Sequence, residues 1–160
     1  KNYKLAKESG LKVGSYHFYT FKLDGMKQAK SFIRNSNVKS EDLLPAIDVE
    51  HSPYNRMYRN GKEHAKIVKE LKVLEKELHN YYGVHPLIYT NKDCYKLYIK
   101  DYLPDNPLWI CDLEGEPADK MENWVIWQFS HKGDISGSFS DLDLNYYRYS
   151  FNEFNKLLMP

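Results

Sequence analysis

Asp48 and Glu50 end the run Leu43-Leu44-Pro45-Ala46-Ile47, so two carboxylates one residue apart finish a stretch that otherwise reads as buried strand. Side chains alternate along a strand, which puts Asp48 and Glu50 on one face and Val49 on the other. Their Cα atoms are then ~6.5–7 Å apart. Burying charge is costly unless the charge is paired or used. Two carboxylates this close in a partly desolvated mouth push their pKa values apart, so one stays ionised while the other holds a proton near neutral pH. Such a pair is equipped to protonate a glycosidic oxygen and to stabilise an oxocarbenium-like centre. The spacing alone does not choose between inverting and retaining outcomes. Metal binding is the rival use of two carboxylates. The chain shows no His or Cys clustered at ligand spacing, and hard cations want several oxygen ligands, so neither a metal nor an organic cofactor is expected.

A D-x-E triplet is weak by itself, and it gains from the elements around it. Residues 11–18 are β-branched and aromatic and predict a strand, preceded by the back half of a helix that stops at Gly10. Residues 25–36 carry Ala29, Phe32 and Ile33 at helical spacing, and residues 62–82 carry Ala65, Val68, Leu71, Leu74 and Leu78 along one side, with Gly83 as the stop. Further strands are predicted at 85–91, 107–111, 124–130 and 139–147. Asn91 is placed to cap a helix over 92–99, and a last helix is predicted over 151–158. Short apolar strands alternating with helices imply a parallel sheet covered by helices, of the α/β barrel type. Catalytic groups in such barrels gather at the C-terminal ends of strands. Tyr16-His17, Asp48 and Glu50, Tyr89-Thr90-Asn91, Trp109, Trp127-Gln128 and Asp143 all fall there.

Composition sets the outer limits. A chain of 160 residues is read as one domain, and its net charge of +1 offers no footprint for nucleic acid and no polybasic face for a membrane. No apolar run approaches the ~18–20 residues of a spanning helix. The 14 tyrosines, with 7 Phe and 3 Trp, provide flat apolar faces with polar handles, which suit sugars as well as cores. Cys94 and Cys111 lie in apolar contexts and read as small buried thiols. His17, beside Tyr and Phe, reads as structural. Trp124 and Trp127, three apart, are predicted on opposite strand faces, with Trp127 towards the mouth. Asp141 reads as a turn residue. The loop 54–61 is placed over the rim, where Arg56 and Arg59 could meet substrate carboxylates.

The segments AKESGLKVGSYHFY, LLPAIDVE, PLIYTN, PLWI, WVIWQFS and DLDLN follow one another at compatible intervals over essentially the whole chain. Together they resemble the lysozymes of glycoside hydrolase family 25, the Chalaropsis-type N-acetylmuramidases that cut bacterial cell-wall peptidoglycan. The resemblance implies a modified (β/α) TIM-like barrel of five β/α units plus three strands. It also implies cleavage of the β-1,4 bond between N-acetylmuramic acid and N-acetylglucosamine. Glu50 resembles the general acid, Asp48 its tuning neighbour, and Asp143 the aspartate of the late D-L-N motif. Tyr16, Tyr89, Trp109, Trp127 and Gln128 match positions that line the glycan groove. Peptidoglycan as substrate implies an extracellular or phage-delivered enzyme.

Two departures accompany the resemblance. The family begins with a strand bearing an early aspartate, then a helix and a second strand, and this chain opens within what would be the next helix. A barrel lacking roughly its first two strands, N-terminally truncated, has exposed sheet edges that invite self-association. CDLEGEP follows PLWI where the family more often has Ala and Tyr, which changes one groove wall through Cys111 and Asp112. Two alternatives stay open: a glycan-binding fragment with impaired chemistry, and a chitinase-like or endo-N-acetylglucosaminidase-like hydrolase. The chitinase run D-x-x-D-x-D-x-E would need aspartates where Leu43 and Ala46 stand, which weighs against it.

Overall fold

The computed structural model describes residues 2–115, 121, 123–137 and 141–160. Six strands form one sheet in sequence order: β1 (Tyr16–Phe18), β2 (Ala46–Val49), β3 (Leu87–Asn91), β4 (Leu108–Cys111), β5 (Trp124–Gly133) and β6 (Leu142–Tyr147). Strands β1 to β5 are parallel, and β6 returns antiparallel to β5. The helices are α1 (Asn2–Glu8), α2 (Gly25–Asn35), α3 (Gly61–Tyr82) and α4 (Lys92–Cys94). A π turn (Tyr95–Ile99) continues α4, and a 3-10 helix (Phe151–Leu157) comes last. No helix among the described residues is long and apolar enough to cross a membrane.

The sheet has two unlike faces. Ile47, Val49, Ile88, Leu108 and Ile110 meet the buried sides of α2 and α3, including Phe32, Leu71, Leu74 and Leu78, in the main core. Fully burying one such leucine contributes about 1.5–3 kcal/mol. The other, inner face holds a smaller apolar cluster of Leu44, Ala46, Leu87 and Leu157. The α2–α3 contact is close: a Cβ built on Gly25 would lie 2.1 Å from the Glu70 carbonyl oxygen. There the Gly25 amide donates to the Glu70 carboxylate at 2.8 Å. Helix α3 ends as expected at Gly83, whose φ of 73° is left-handed. Helix α1 ends at Gly10 with φ 78°, and the Leu11 amide reaches back to the Ala6 carbonyl.

Buried Asp42 fastens α1 to the segment before β2, accepting bonds from Tyr3, from the Lys7 ammonium at 2.6 Å and from the Lys39 amide. Burial pushes its carboxyl up, but the bonds from Lys7, Tyr3 and Lys39 outweigh that and hold it below the usual aspartate value.

Three local expectations are corrected. Strand β1 covers Tyr16–Phe18 rather than 11–18, because β1 is an edge. The segment before it is tied only by bonds such as Leu43 N–H to Val13 O. The final helix is 3-10, closed by a Ser150–Glu153 capping box, and only Leu157 of it is buried. The third concerns β5. Its pairing with β4 slips between Leu108 and Trp109, so Trp124 opposes Leu108 and Trp127 opposes Ile110. This bulge adds one residue and puts both tryptophans on the helix side, where Trp124 is buried and Trp127 packs against the main core. Trp127 therefore does not face the mouth as expected.

Candidate active site

The parallel register stacks the inner-face side chains in rows. One row runs Phe18, Asp48, Tyr89, Trp109 and Ile126, and the next, nearer the C-terminal ends, runs Asn91, Cys111, Gln128 and Asn145. Glu50, directly after β2, extends its strand into that second row. Asp48, Glu50, Tyr89, Trp109 and Gln128 thus share one mouth. Asp143 joins from β6, two residues before Asn145 on the same face, and its charge acts on the Cys111 thiol together with that of Glu50. Tyr16 lies one step lower, opposite Ala46, and is 69% exposed on the open edge. There it lines a hollow of about 370 Å³ with Ala46, Leu87, Trp109 and Asn145. Phe18, rather than Tyr16, is the neighbour of Asp48.

Asp48 is the deeper carboxylate. It is 9% exposed, and its Oδ1 is buried without a hydrogen-bond partner among the described residues. Burial, reinforced by repulsion from Glu50, pushes its carboxyl up to about 7. Glu50 is half-buried, and desolvation raises its carboxyl too, partly offset by His51. Desolvation thus acts on both carboxyls, and at Asp48 the charge of Glu50 adds to it. The charges of both carboxylates also reach the Tyr89 hydroxyl, which burial and Cys111 already raise.

Neighbouring bonds fix the aromatic groups. The Tyr89 hydroxyl donates to Gln128 Oε1 at 2.7 Å, so buried Gln128 holds Tyr89 in place. The Trp109 ring meets the edge of Tyr89 at 5.2 Å, and its indole N–H donates to Asn145 Oδ1 at 2.8 Å. Asn145, the last residue of the DLDLN run, joins the site without having been among the residues expected there. Its alternation with Asp143 was the available signal.

Trp127 instead supports the rim, donating from Nε1 to the Asp112 carbonyl at 2.8 Å. Asp112 is buried and ion-paired with Lys92 at 3.0 Å. His17 turns to the helices, 2.9 Å from Gln28 Oε1 and edge-on to Phe32. Cys94 is buried and Cys111 half-buried, both free. Arg56 stands over the Tyr58 ring at 5.7 Å. At the opposite end of the sheet Glu75, His79 and His85 converge, a cluster that linear spacing concealed.

The arrangement has clear chemical capacity. Two desolvated carboxylates share the mouth with an ordered Tyr–Trp pair suited to a sugar ring, and Asp143 of β6 adds its charge at Cys111.

Comparisons with known proteins identify the family to which this fold belongs. The family model for glycosyl hydrolases family 25 matches residues 1–138. The chain is similar to a family 25 glycosyl hydrolase structure from Bacillus anthracis, 33% identical with a TM-score of 0.86, covering 99% of this chain and 74% of that one. It is 27% identical over 155 residues to the YegX protein of Escherichia coli strain K12, covering 96% of this chain and 54% of that protein. It is 28% identical over 143 residues to the autolytic lysozyme of Clostridium acetobutylicum, covering 89% of this chain and 41% of that protein. The chain therefore spans about half the length of the curated relatives it matches. With a family model covering most of its length and a sheet of the same architecture, the chain belongs to glycosyl hydrolases family 25.

Proposed function

We propose that this chain is a lysozyme-type glycoside hydrolase that cleaves the β-1,4 bond between N-acetylmuramic acid and N-acetylglucosamine in bacterial peptidoglycan. The observation that carries the reading is the desolvated Asp48–Glu50 pair on one inner face, with both carboxyls raised. Family membership supports the substrate class.

In this reading Glu50, nearer the mouth and half-buried, is the general acid. It passes its proton to the glycosidic oxygen as the bond to the anomeric carbon breaks. Water adds to that carbon and its proton returns to a site carboxylate, so the products are two sugar chains, one with a new reducing end. Asp143 supports the positive charge that develops at the anomeric centre, and Asp48, held protonated up to about pH 7, orients the acetamido group and the water. Tyr89, held by Gln128, and Trp109, held by Asn145, form the platform for the ring. Because the substrate lies outside the cytoplasmic membrane, the chain acts extracellularly or after delivery to the wall by phage or lysis.

The test is digestion of purified peptidoglycan, with products identified by mass spectrometry and Glu50→Gln run in parallel. The expected result is new reducing ends at muramic acid in the wild type and their loss in the variant. Products unchanged by Glu50→Gln would show that the acid is another group. If neither chain gave products while both bound the polymer, the glycan-binding alternative would replace hydrolysis.

A further inference from the structure

Glu75, His79 and His85 lie away from the mouth, where the C-terminal turns of α3 meet the segment entering β3. Glu75 and His79 are one helical turn apart and so share a face of α3. The short loop after Gly83 folds His85 back onto them. His79 Nδ1 and His85 Nδ1 are 2.8 Å apart, His85 Nδ1 is 2.8 Å from Glu75 Oε1, and His79 Nδ1 is 4.0 Å from that oxygen. The two imidazoles meet at 90°.

These contacts hold more lone pairs than protons. Two neutral imidazole nitrogens can share one proton between them, and an ionised carboxylate brings none. One N–H on His85 must therefore serve both His79 and Glu75, if nothing else occupies the centre. A cation there would satisfy all three acceptors at once. Ligand atoms around a tetrahedral zinc ion, with bonds of about 2.0–2.1 Å, stand about 3.3 Å from one another. The observed separations of 2.8, 2.8 and 4.0 Å bracket that value.

The surroundings suit a bound ion as well. Glu75 is 8% exposed, and its Oε1 also accepts from Asn106 Nδ2 at 3.1 Å. Asn106 is anchored by a second bond to the Pro86 carbonyl at 2.9 Å, so the carboxylate is oriented from behind. Both histidines are half-exposed and border a surface groove, which leaves an entry path and a fourth position for water.

We propose that Glu75, His79 and His85 form a zinc site that clamps the end of α3 to the start of β3. Binding displaces the shared proton to solvent. The donor set of two imidazoles and one carboxylate selects zinc and its neighbours in the first transition row over magnesium or calcium. The site stands at the N-terminal end of β3, whereas the carboxylate mouth lies at the C-terminal ends. Its role is thus stabilisation of the fold, independent of any hydrolytic activity.

The experiment uses the full chain without an affinity tag, stripped by a chelator. Zinc, magnesium and cobalt(II) are titrated while metal content, thermal unfolding and the visible spectrum are followed. The expected result is one zinc per chain, no response to magnesium, and a visible d–d band for cobalt bound through nitrogen and oxygen. Zinc at about 100 times its Kd should raise the Tm by about 5–10 °C. His79→Gln and His85→Gln should each weaken binding at least about tenfold. Absence of stoichiometric zinc binding would overturn the proposal, as would binding unchanged in both variants. Should a variant fail to fold, the cobalt spectrum of the wild type decides: thiolate charge-transfer bands would place the metal at a cysteine and refute the site.

Discussion

Replacing Asp48 by Asn should make the folded chain more stable at neutral pH while damaging its chemistry. Burial and the nearby Glu50 hold the Asp48 carboxyl at about 7, against an ordinary aspartate value of 3.8. Below the ordinary value the carboxyl is protonated whether the chain is folded or not, and folding has no ionisation cost. Between the two values the unfolded chain loses the proton and the folded chain keeps it. Stability is therefore lost as pH rises through that window, and the full loss is in place above the folded-state value. At about 1.36 kcal/mol per pKa unit the loss is at most about 4 kcal/mol, and solvent access at the mouth reduces it to about 1–3 kcal/mol. For a chain of this size that is about 3–10 °C in Tm.

The assay is thermal or urea unfolding of wild type and Asp48→Asn at intervals from pH 4 to pH 8. Any packing cost of the amide does not depend on pH, so the informative quantity is the change in the difference between the two proteins. It should move in favour of the variant by about 1–3 kcal/mol from pH 4 to pH 8. A difference that stays flat across that range would refute the claim that Asp48 is held protonated by its surroundings. Peptidoglycan hydrolysis by the variant should fall by about 10²-fold, the scale for misplacing the reacting groups when a positioning carboxyl is lost.

Other perturbations test separate parts of the structure. Gly25→Ala should destabilise by about 1–3 kcal/mol or more in denaturant unfolding, because its methyl group would meet the Glu70 carbonyl at 2.1 Å. Asp42→Asn should lower stability above the ordinary carboxylate range by about 1–3 kcal/mol, with the difference shrinking as pH falls and the wild-type carboxyl protonates. Asn145→Ala frees the Trp109 indole at an exposed position, so glycan affinity should drop by about three- to tenfold in a binding assay while Tm changes little. Gln128→Leu removes the acceptor of the half-buried Tyr89 hydroxyl and should cost about 1–2 kcal/mol in unfolding free energy.

What the sequence disclosed, and what it hid, follows from the range over which each signal acts. Gly83 stops α3 and Asn91 Oδ1 caps α4 because both are local devices, carried by the residue that performs them. The convergence of Asp48, Glu50, Tyr89, Trp109 and Gln128 was legible because a parallel sheet brings the strand ends to one rim, and alternation assigns the face. Alternation failed at Trp127. A single inserted residue in β5 leaves no compositional mark, yet it reverses the face of everything after it. The Glu75–His79–His85 cluster was hidden for a different reason. Only Glu75 and His79 obey a helical period, and the turn that returns His85 to them is set by tertiary packing. Strand β1 came out short because β propensity does not supply a second neighbour at a sheet edge.

The strand order has a consequence for how the molecule comes into being. Each strand pairs with the one just before it in sequence, so no strand has to be inserted between two already placed. The sheet can grow strand by strand as the chain leaves the ribosome, most additions closing a connection that carries a helix, at an entropic cost that rises only slowly with its length. Asp143 lies on β6, which follows β2 and its carboxylates Asp48 and Glu50 in synthesis order. A partly synthesised chain would carry the carboxylate pair without its third member. In the proposed site the third carboxylate is thus added only with β6.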